Sequence, residues 1–282
     1  MMLMQSATAY PVAFSANLLL RQLSELDRGL LEPHIEEIGV RRGAALFSAG
    51  DSIDHLYFPQ TNFFSLEEEM SSGRHIEVAL VGVEGFLGWA ALLGCATSCH
   101  AAIAQMRSGS TVRISVKQVR LACASSPTLW QALLRFVHLV IVQMGRTIMS
   151  HAEDAIDKRV ARWLLMRHDR VGGDALALKH EDVAASLCVR RASVTERLQR
   201  LECERLLRCD RGRVLVRDRA ALEAYAGSAY GAAEASYREL IAPFGKLHTI
   251  SAGVDRSIPV KIQVGTEPVG LGADFARPRR YR

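Results

Sequence analysis

The 282-residue chain contains no uninterrupted run of eighteen apolar residues, so the sequence alone marks no membrane span. Its opening, MMLMQSATAYPVAF, is apolar but lacks the basic start of a secretory signal, and is expected to be a loose leader on a cytoplasmic protein. The six cysteines (Cys95, Cys99, Cys123, Cys188, Cys203, Cys209) include no C-x-x-C unit, which argues against a zinc ribbon or a disulfide scaffold. Reduced, mostly buried thiols are expected instead. There is no G-x-S-x-G, no P-loop and no dinucleotide fingerprint, which removes the commonest motif-marked enzyme classes. Aromatic residues are only 6% of the chain; 49% hydrophobic and 23% charged residues are otherwise ordinary for a globular protein of two domains.

What is present is an uneven distribution of charge. The net charge of +5 is concentrated toward the C-terminus. Residues 176–217 carry ten Lys/Arg against six Asp/Glu, and residues 243–282 carry seven against three, leaving the remainder slightly acidic. A basic C-terminal part beside a near-neutral remainder is the electrostatic footprint of a nucleic-acid-binding module.

The hydrophobic period changes along the chain. Leu19, Leu23, Leu26, Leu30 and Leu31 lie at helical spacing within residues 17–38, with Ser24 placed to cap a second short helix. Short alternating runs follow, punctuated by Gly43, Gly50-Asp51, Ser72-Gly73 and Ser108-Gly109. They predict an antiparallel roll or barrel. After Pro127 the helical period returns, with Leu129, Leu133, Phe136, Val137, Val140, Met144 and Ile148 forming a stripe. Trp130 and Val142 make that helix apolar on more than one face. One face can cover the roll and another can meet a second copy of itself; a helix fully buried in a monomer is the alternative. Residues 153–173 continue with Ile156, Val160, Trp163 and Leu164 on one face and basic residues elsewhere, ending at Gly172-Gly173. From Pro243 the chain is rich in Gly, Pro and charge without a helical period, and is expected to be largely disordered.

The informative stretch is HEDVAASLCVRRASVTERLQRLECERLLRCDRGRVLVRD, residues 180–218. Glu181 and Asp182 suit the positive end of a helix dipole. Val183 and Leu187 form the apolar face of a short helix. A break at Cys188-Val189-Arg190 leads to a second helix with Val194, Leu198 and Leu201 inside and Arg191, Ser193, Glu196, Arg197 and Arg200 outside. Short helix, tight turn and second helix with long polar side chains describe a helix-turn-helix. Such a helix enters the major groove with its N-terminal residues at base edges, while Arg190, Ser193 and Arg200 can hold phosphates. Thr195 belongs to the same candidate set. A hairpin turning at Asp210-Arg211-Gly212, with Arg213 and Arg217 on its polar face, would be the wing.

With these residues in order, the chain resembles the Crp/Fnr family of bacterial transcription regulators over roughly residues 17–241. The resemblance rests on RRGAALFSAGDSIDHLYFPQTNFFSL, on HIEVALVGVEGFLGWAALLG, and on RVARWLLMRHDRVG followed by LCVRRASVTERLQRLE and the wing. It implies an α+β fold. An N-terminal jelly-roll-like β-roll that senses a signal (17–126) precedes a long dimerisation helix (127–152) and a winged helix-turn-helix (153–242), with a leader at 1–16 and a basic tail at 243–282. Leu129, Leu133, Phe136, Val137, Val140, Met144 and Ile148 are the expected dimer contacts. The implied partners are double-stranded DNA carrying a palindromic site, a second copy of the chain and RNA polymerase, with no membrane.

Departures from the family pattern narrow the effector. Gly88 is kept, but Trp89 stands where cyclic-nucleotide binders have a ribose-binding glutamate. Cys99-His100-Ala101 replaces their phosphate-binding Arg-Ser-Ala, so cyclic AMP would lose its charge-assisted partner. The family's oxygen sensors carry an N-terminal cysteine cluster, whereas the first cysteine here is Cys95; no iron–sulfur cluster is expected. Ala192 and Glu196 differ from the Glu and Arg of the cyclic-AMP-binding members, so the target sequence should differ too. Cys188 replaces a frequent turn glycine, and a left-handed backbone there would cost about 1 kcal/mol. The effector is unknown; Gly85, Gly88, Trp89, Cys99 and His100 are the candidate pocket residues.

Two rival readings remain. Cys95, Cys99 and His100 could make a thiol- or metal-responsive regulator. A β-roll enzyme or ligand-binding protein, its helical C-terminus serving assembly only, is the other; His75-x-Glu77 on one strand is its best metal candidate. No metal site is expected, and His138 and His151 are read as ordinary residues on or near the long helix.

Overall fold

The computed structural model describes residues 16–246. The expectations for the leader before Ala16 and for the tail beyond Lys246 lie outside these residues.

Two short helices open the fold, α1 (Leu18–Gln22) and α2 (Glu25–Leu31). Each starts where a side-chain oxygen replaces a missing helical acceptor: Asn17 Oδ1 accepts from Leu20 N and Ser24 Oγ from Asp27 N. The helical pattern ends earlier than residue 38. Pro33 falls in a 3-10 turn at Glu32–His34, and the chain then turns extended as β1 (Glu36–Arg41).

The strands β2 (Ala45–Phe47), β3 (His55–Pro59), β4 (Phe64–Glu69), β5 (His75–Val81), β6 (Ala101–Ala104) and β7 (Ser108–Ser115) complete the roll. They form two antiparallel sheets, β1-β7-β3 and β2-β6-β4-β5. Alternation sends Leu56, Phe58, Phe64, Leu66, Val112 and Ile114 inward, each at most 2% exposed, into one core shared by both sheets. Asn17, fully buried, ties the start of the chain to that core by donating from Nδ2 to the carbonyls of Pro59 and Gly85.

Helix α3 (Val116–Ser125) leads to the long α4 (Pro127–Glu153), which starts with Ser126 as its cap and Pro127 in the first turn. Leu129, Leu133, Phe136, Val137 and Val140 are all buried in the roll's core. At about 1.5–3 kcal/mol for each large side chain, this stripe is a main source of the roll's stability. Gln143 extends the attachment: its amide oxygen accepts from Leu80 N at 2.6 Å and its nitrogen donates to Leu80 O at 3.1 Å, as a paired strand would.

This corrects the reading of that stripe as a dimer contact, because its side chains are already covered by the chain's own sheet. Of the residues expected there, only Ile148, 70% exposed, faces outward; Met144 is half-buried against the same core. The open side carries His138, Ile141, Gly145, Ile148 and Met149. The helix is also long and apolar enough to cross a membrane, although interspersed polar residues keep any apolar run short. One of its faces is taken up by the roll.

After a break at Asp154-Ala155, α5 (Ile156–His168) opens the second domain, which continues through β8 (Ala175–Ala177), α6 (His180–Ser186), α7 (Arg191–Cys203), β9 (Leu207–Asp210), β10 (Arg213–Val216) and α8 (Arg219–Ala226). Its sheet has the order β8-β10-β9 and its core joins Val160, Trp163 and Leu164 to Val194, Leu198, Leu201 and Leu222. The basic residues of α5 do not all face water: Arg162 and Arg167 are buried, the latter bound to Glu77 of β5. Helix α9 (Ala232–Leu240) then returns to α4, where the Tyr237 hydroxyl donates to Glu84 O at 2.6 Å. Phe244, 5% exposed, packs on Tyr237, so the first residues of the segment read as a disordered tail are part of the core.

Candidate nucleic-acid interface

The interface is built by α6 and α7 and the turn between them. Val183, Ala184 and Leu187 anchor α6 in the domain core, and Val194, Leu198 and Leu201 anchor α7, all at helical spacing. The turn closes because Cys188 takes φ +53°, the left-handed conformation expected of the residue there. A non-glycine residue accepts that cost when the flanking helices fix the turn. Here Val189 N donates back to Ala184 O at 3.0 Å, and the Cys188 thiol donates to the Met70 sulfur at 3.4 Å.

With one face anchored, α7 turns the other to solvent. Arg190 and Arg191 are exposed at its start, and Glu196 and Arg200 further along; Arg197 is half-buried. Their ion pairs are local and weakly held. Arg191 Nε lies 3.0 Å from Glu181, Arg197 3.3 Å from Glu196, and Arg200 3.3 Å from Glu204 and 3.7 Å from Asp157. Exposed pairs of this kind contribute about 0–1 kcal/mol, so a phosphate or a guanine edge can replace them. Half-buried Ser193 sits two residues inside the helix start.

Thr195 is the exception in the candidate set. Its hydroxyl lies 2.9 Å from His180 Nδ1 and donates to Arg191 O at 3.2 Å. It bridges α6 and α7, so in this structure its hydroxyl is engaged inside the domain.

The wing is the hairpin β9–β10, turning at Arg211-Gly212 with Gly212 at φ +72°. Arg213 is exposed at the start of β10. A cleft of about 530 Å³ separates the wing from the start of α7 and is lined by Lys179, Arg191, Arg211 and Arg213 among others. Lys179 and Arg211 were not singled out from sequence; their signal was the excess of positive charge over residues 176–217.

Two of the candidate effector residues, Gly85 and Gly88, serve close packing. A Cβ on Gly85 would lie 1.8 Å from the Phe136 ring, so Gly85 is the contact point of α4 on the roll. The space around it is filled by the rings of Phe58, Phe86 and Phe136, with centroids 5.4 and 5.2 Å apart. Gly88 (φ +84°) serves close packing, since a Cβ there would lie 2.7 Å from His55 O. Trp89 and His100 are neighbours, 6.2 Å between rings, and His100 Nδ1 lies 2.6 Å from the Glu68 carboxylate. His100, which stands in the place of the family's phosphate-binding run, is therefore paired with an acid.

The thiols are less buried than expected, because Cys95, Cys99 and Cys203 are exposed on turns and helix ends. Partial burial still pushes the Cys99 thiol up, and among the described residues no three His, Cys, Asp or Glu side chains are grouped to hold a metal. Burial likewise pushes Cys123 and Cys209 up to about 11. A raised thiol pKa works against thiolate reactivity. His75 is exposed, and Glu77 is spent on Arg167.

The profile of the Crp-like helix-turn-helix domain family matches residues 158–225, the span from α5 to α8. The fold as a whole is that of solved transcription regulators. FixK2 of Bradyrhizobium japonicum superposes with a TM-score of 0.60 at 17% identity, covering 69% of this chain and 98% of that one. Residues 158–225 thus carry the helix-turn-helix domain of the Crp-like family, and the fold around them is that of Crp/Fnr-type regulators. A CRP-family transcriptional regulator of Thermus thermophilus is similar at 23% identity with a TM-score of 0.58, covering 69% and 99% of the two chains. The c-di-GMP-responsive global regulator CLP of Xanthomonas campestris follows at 18% identity and 0.55, covering 68% and 98%. No curated protein matches the chain by sequence. The matched helix-turn-helix domain and the regulator fold favour a regulator over the β-roll enzyme reading.

Proposed function

We propose that this chain is a Crp/Fnr-type transcription regulator, acting as a cytoplasmic homodimer that binds an inverted-repeat DNA site through α7 and the wing, and works with RNA polymerase. The observation that carries the reading is the unspent positive face of α7: Arg190, Arg191 and Arg200 are exposed, and the partners of Arg191 and Arg200 are exchangeable. Arg191, Glu196 and Arg197 are assigned to base edges, and Arg190, Ser193, Arg200, Arg211 and Arg213 to phosphates.

Dimerisation is assigned to the open face of α4. Leu134, His138, Ile141, Gly145 and Ile148 alternate by four and three residues, the spacing of a coiled-coil seam. Two copies related by a two-fold axis along this seam would present their α7 helices to successive major grooves about 34 Å apart. Residues 17–126 are assigned to the sensor roll, 127–152 to the dimerisation helix and 153–242 to the DNA-binding domain. The filled roll interior and the Glu68–His100 pair support a signal other than cyclic AMP.

The test is selection of bound sequences from a random duplex library by the purified full chain, alone and with cell extract as a source of effector. Enrichment of an inverted repeat with half-sites about one helical turn apart is expected. No enrichment under either condition would overturn the reading.

A further inference from the structure

A cavity of about 630 Å³ lies between the roll and the DNA-binding domain, within the size range of small-molecule sites. Phe63 and Met106 of the roll face Trp163, Val171 and Leu176 of the second domain across it. None of these residues belongs to the sequence-based effector set.

Three features of its walls go together. Trp163 is only 3% exposed, and its indole N–H is buried without an acceptor. A buried donor left unpaired is unfavourable unless something else accepts its proton. That donor is also held in place: the Arg167 guanidinium stacks 3.5 Å from the indole ring and is itself fixed by Glu77. Finally, the lining carries positive charge in excess. Arg42 is neutralised by Asp182 and Arg167 by Glu77, but Arg107 and Lys179 have no ion-pair partner among the described residues.

We propose that this cavity binds a small organic anion with an aromatic or apolar body. An oxygen of the anionic group accepts from the Trp163 indole N–H, Arg107 and Lys179 supply the compensating charge, and the body rests on Phe63, Met106 and Val171. Because its walls come from both domains, a ligand here favours the arrangement that forms the cavity. Any effect on transcription rests on the DNA-binding reading; the binding itself does not.

The probe is 1-anilinonaphthalene-8-sulfonate, titrated by fluorescence into the full chain, with N-phenyl-1-naphthylamine as the same body lacking the sulfonate. The sulfonate is expected to saturate a single site and to bind at least about tenfold more tightly than its neutral analogue, the factor that one charge-assisted hydrogen bond supplies. W163F, which keeps an aromatic ring and removes the donor, should weaken it by a similar factor. R107A/K179A, at two exposed positions, should do the same while retaining the wild-type near-ultraviolet circular dichroism. Failure of the sulfonate to bind, equal binding of the two probes, or sulfonate binding unchanged in both variants would overturn the proposal. None of these outcomes depends on DNA.

Discussion

Arg167 of α5 is bound by Glu77 of β5 through two parallel hydrogen bonds, 2.9 Å from Nη1 and 2.5 Å from Nη2, with both side chains almost fully buried. A second buried pair, Arg170 with Glu84, lies nearby and links the same domain to the roll. The helix-turn-helix domain is therefore attached to the chain's own roll by charges that have almost no access to water. Breaking such a pair from one side leaves an uncompensated buried charge.

Glu77→Ala is accordingly expected to lower the free energy of unfolding by about 3–5 kcal/mol. The double change E77A/R167M, which removes both charges and keeps an apolar chain, should recover most of that loss. Urea unfolding followed by circular dichroism reads both; an E77A midpoint equal to the wild type would contradict the attachment.

The two faces of α4 predict opposite phenotypes. Leu133→Ala, deep in the roll, should cost about 2–5 kcal/mol of stability. Ile148→Asp, on a side chain 70% exposed, should leave each protomer folded but give monomers by sedimentation. A stable I148D dimer would place the interface elsewhere.

Acid should weaken the junction between α4 and α5. Burial, reinforced by Arg159 and Arg162, pushes His151 down to about 4 from an ordinary value near 6.5. The unfolded chain then binds more protons than the folded one between those values, so this group's contribution to stability falls as pH drops from 6.5 toward 4. Thermal midpoints measured from pH 7 to 5 should fall less steeply for His151→Gln than for the wild type. Equal slopes would contradict the burial of a neutral imidazole.

Cys188 offers a gain. At φ +53° a glycine removes the left-handed penalty, so Cys188→Gly is expected to stabilise the chain by about 1 kcal/mol in denaturant. A loss of stability would mean that the thiol contact with Met70 outweighs the backbone term.

The helix-turn-helix was legible because its signals are local: Val194, Leu198 and Leu201 follow one helical face, and the turn and wing sit within a few residues of them. The roll was legible from alternation between turn residues. The faces of α4 were not, since both stripes are apolar and only the position of the sheet decides which is buried. The role of Arg162, Arg167 and Arg170 was hidden for the same reason; their acidic neighbours lie far away in sequence, among them Glu77 on β5 and Glu84 on the loop after it. Helix α9 and Phe244 were missed because their contacts are with α4 and the roll, about a hundred residues earlier in the chain. Gly85 and Gly88 looked like pocket residues, but their missing side chains make room for Phe136 and the His55 backbone.

The central claim is that α7 reads DNA sequence. Its most direct test compares the affinity of wild type and Arg191→Ala for the selected duplex and for a scrambled duplex of equal length, at one fixed salt concentration. The account predicts that the wild type prefers the selected duplex, and that the substitution costs about 1–3 kcal/mol on it while changing binding to the scrambled one little. Equal wild-type affinity for the two duplexes would contradict it.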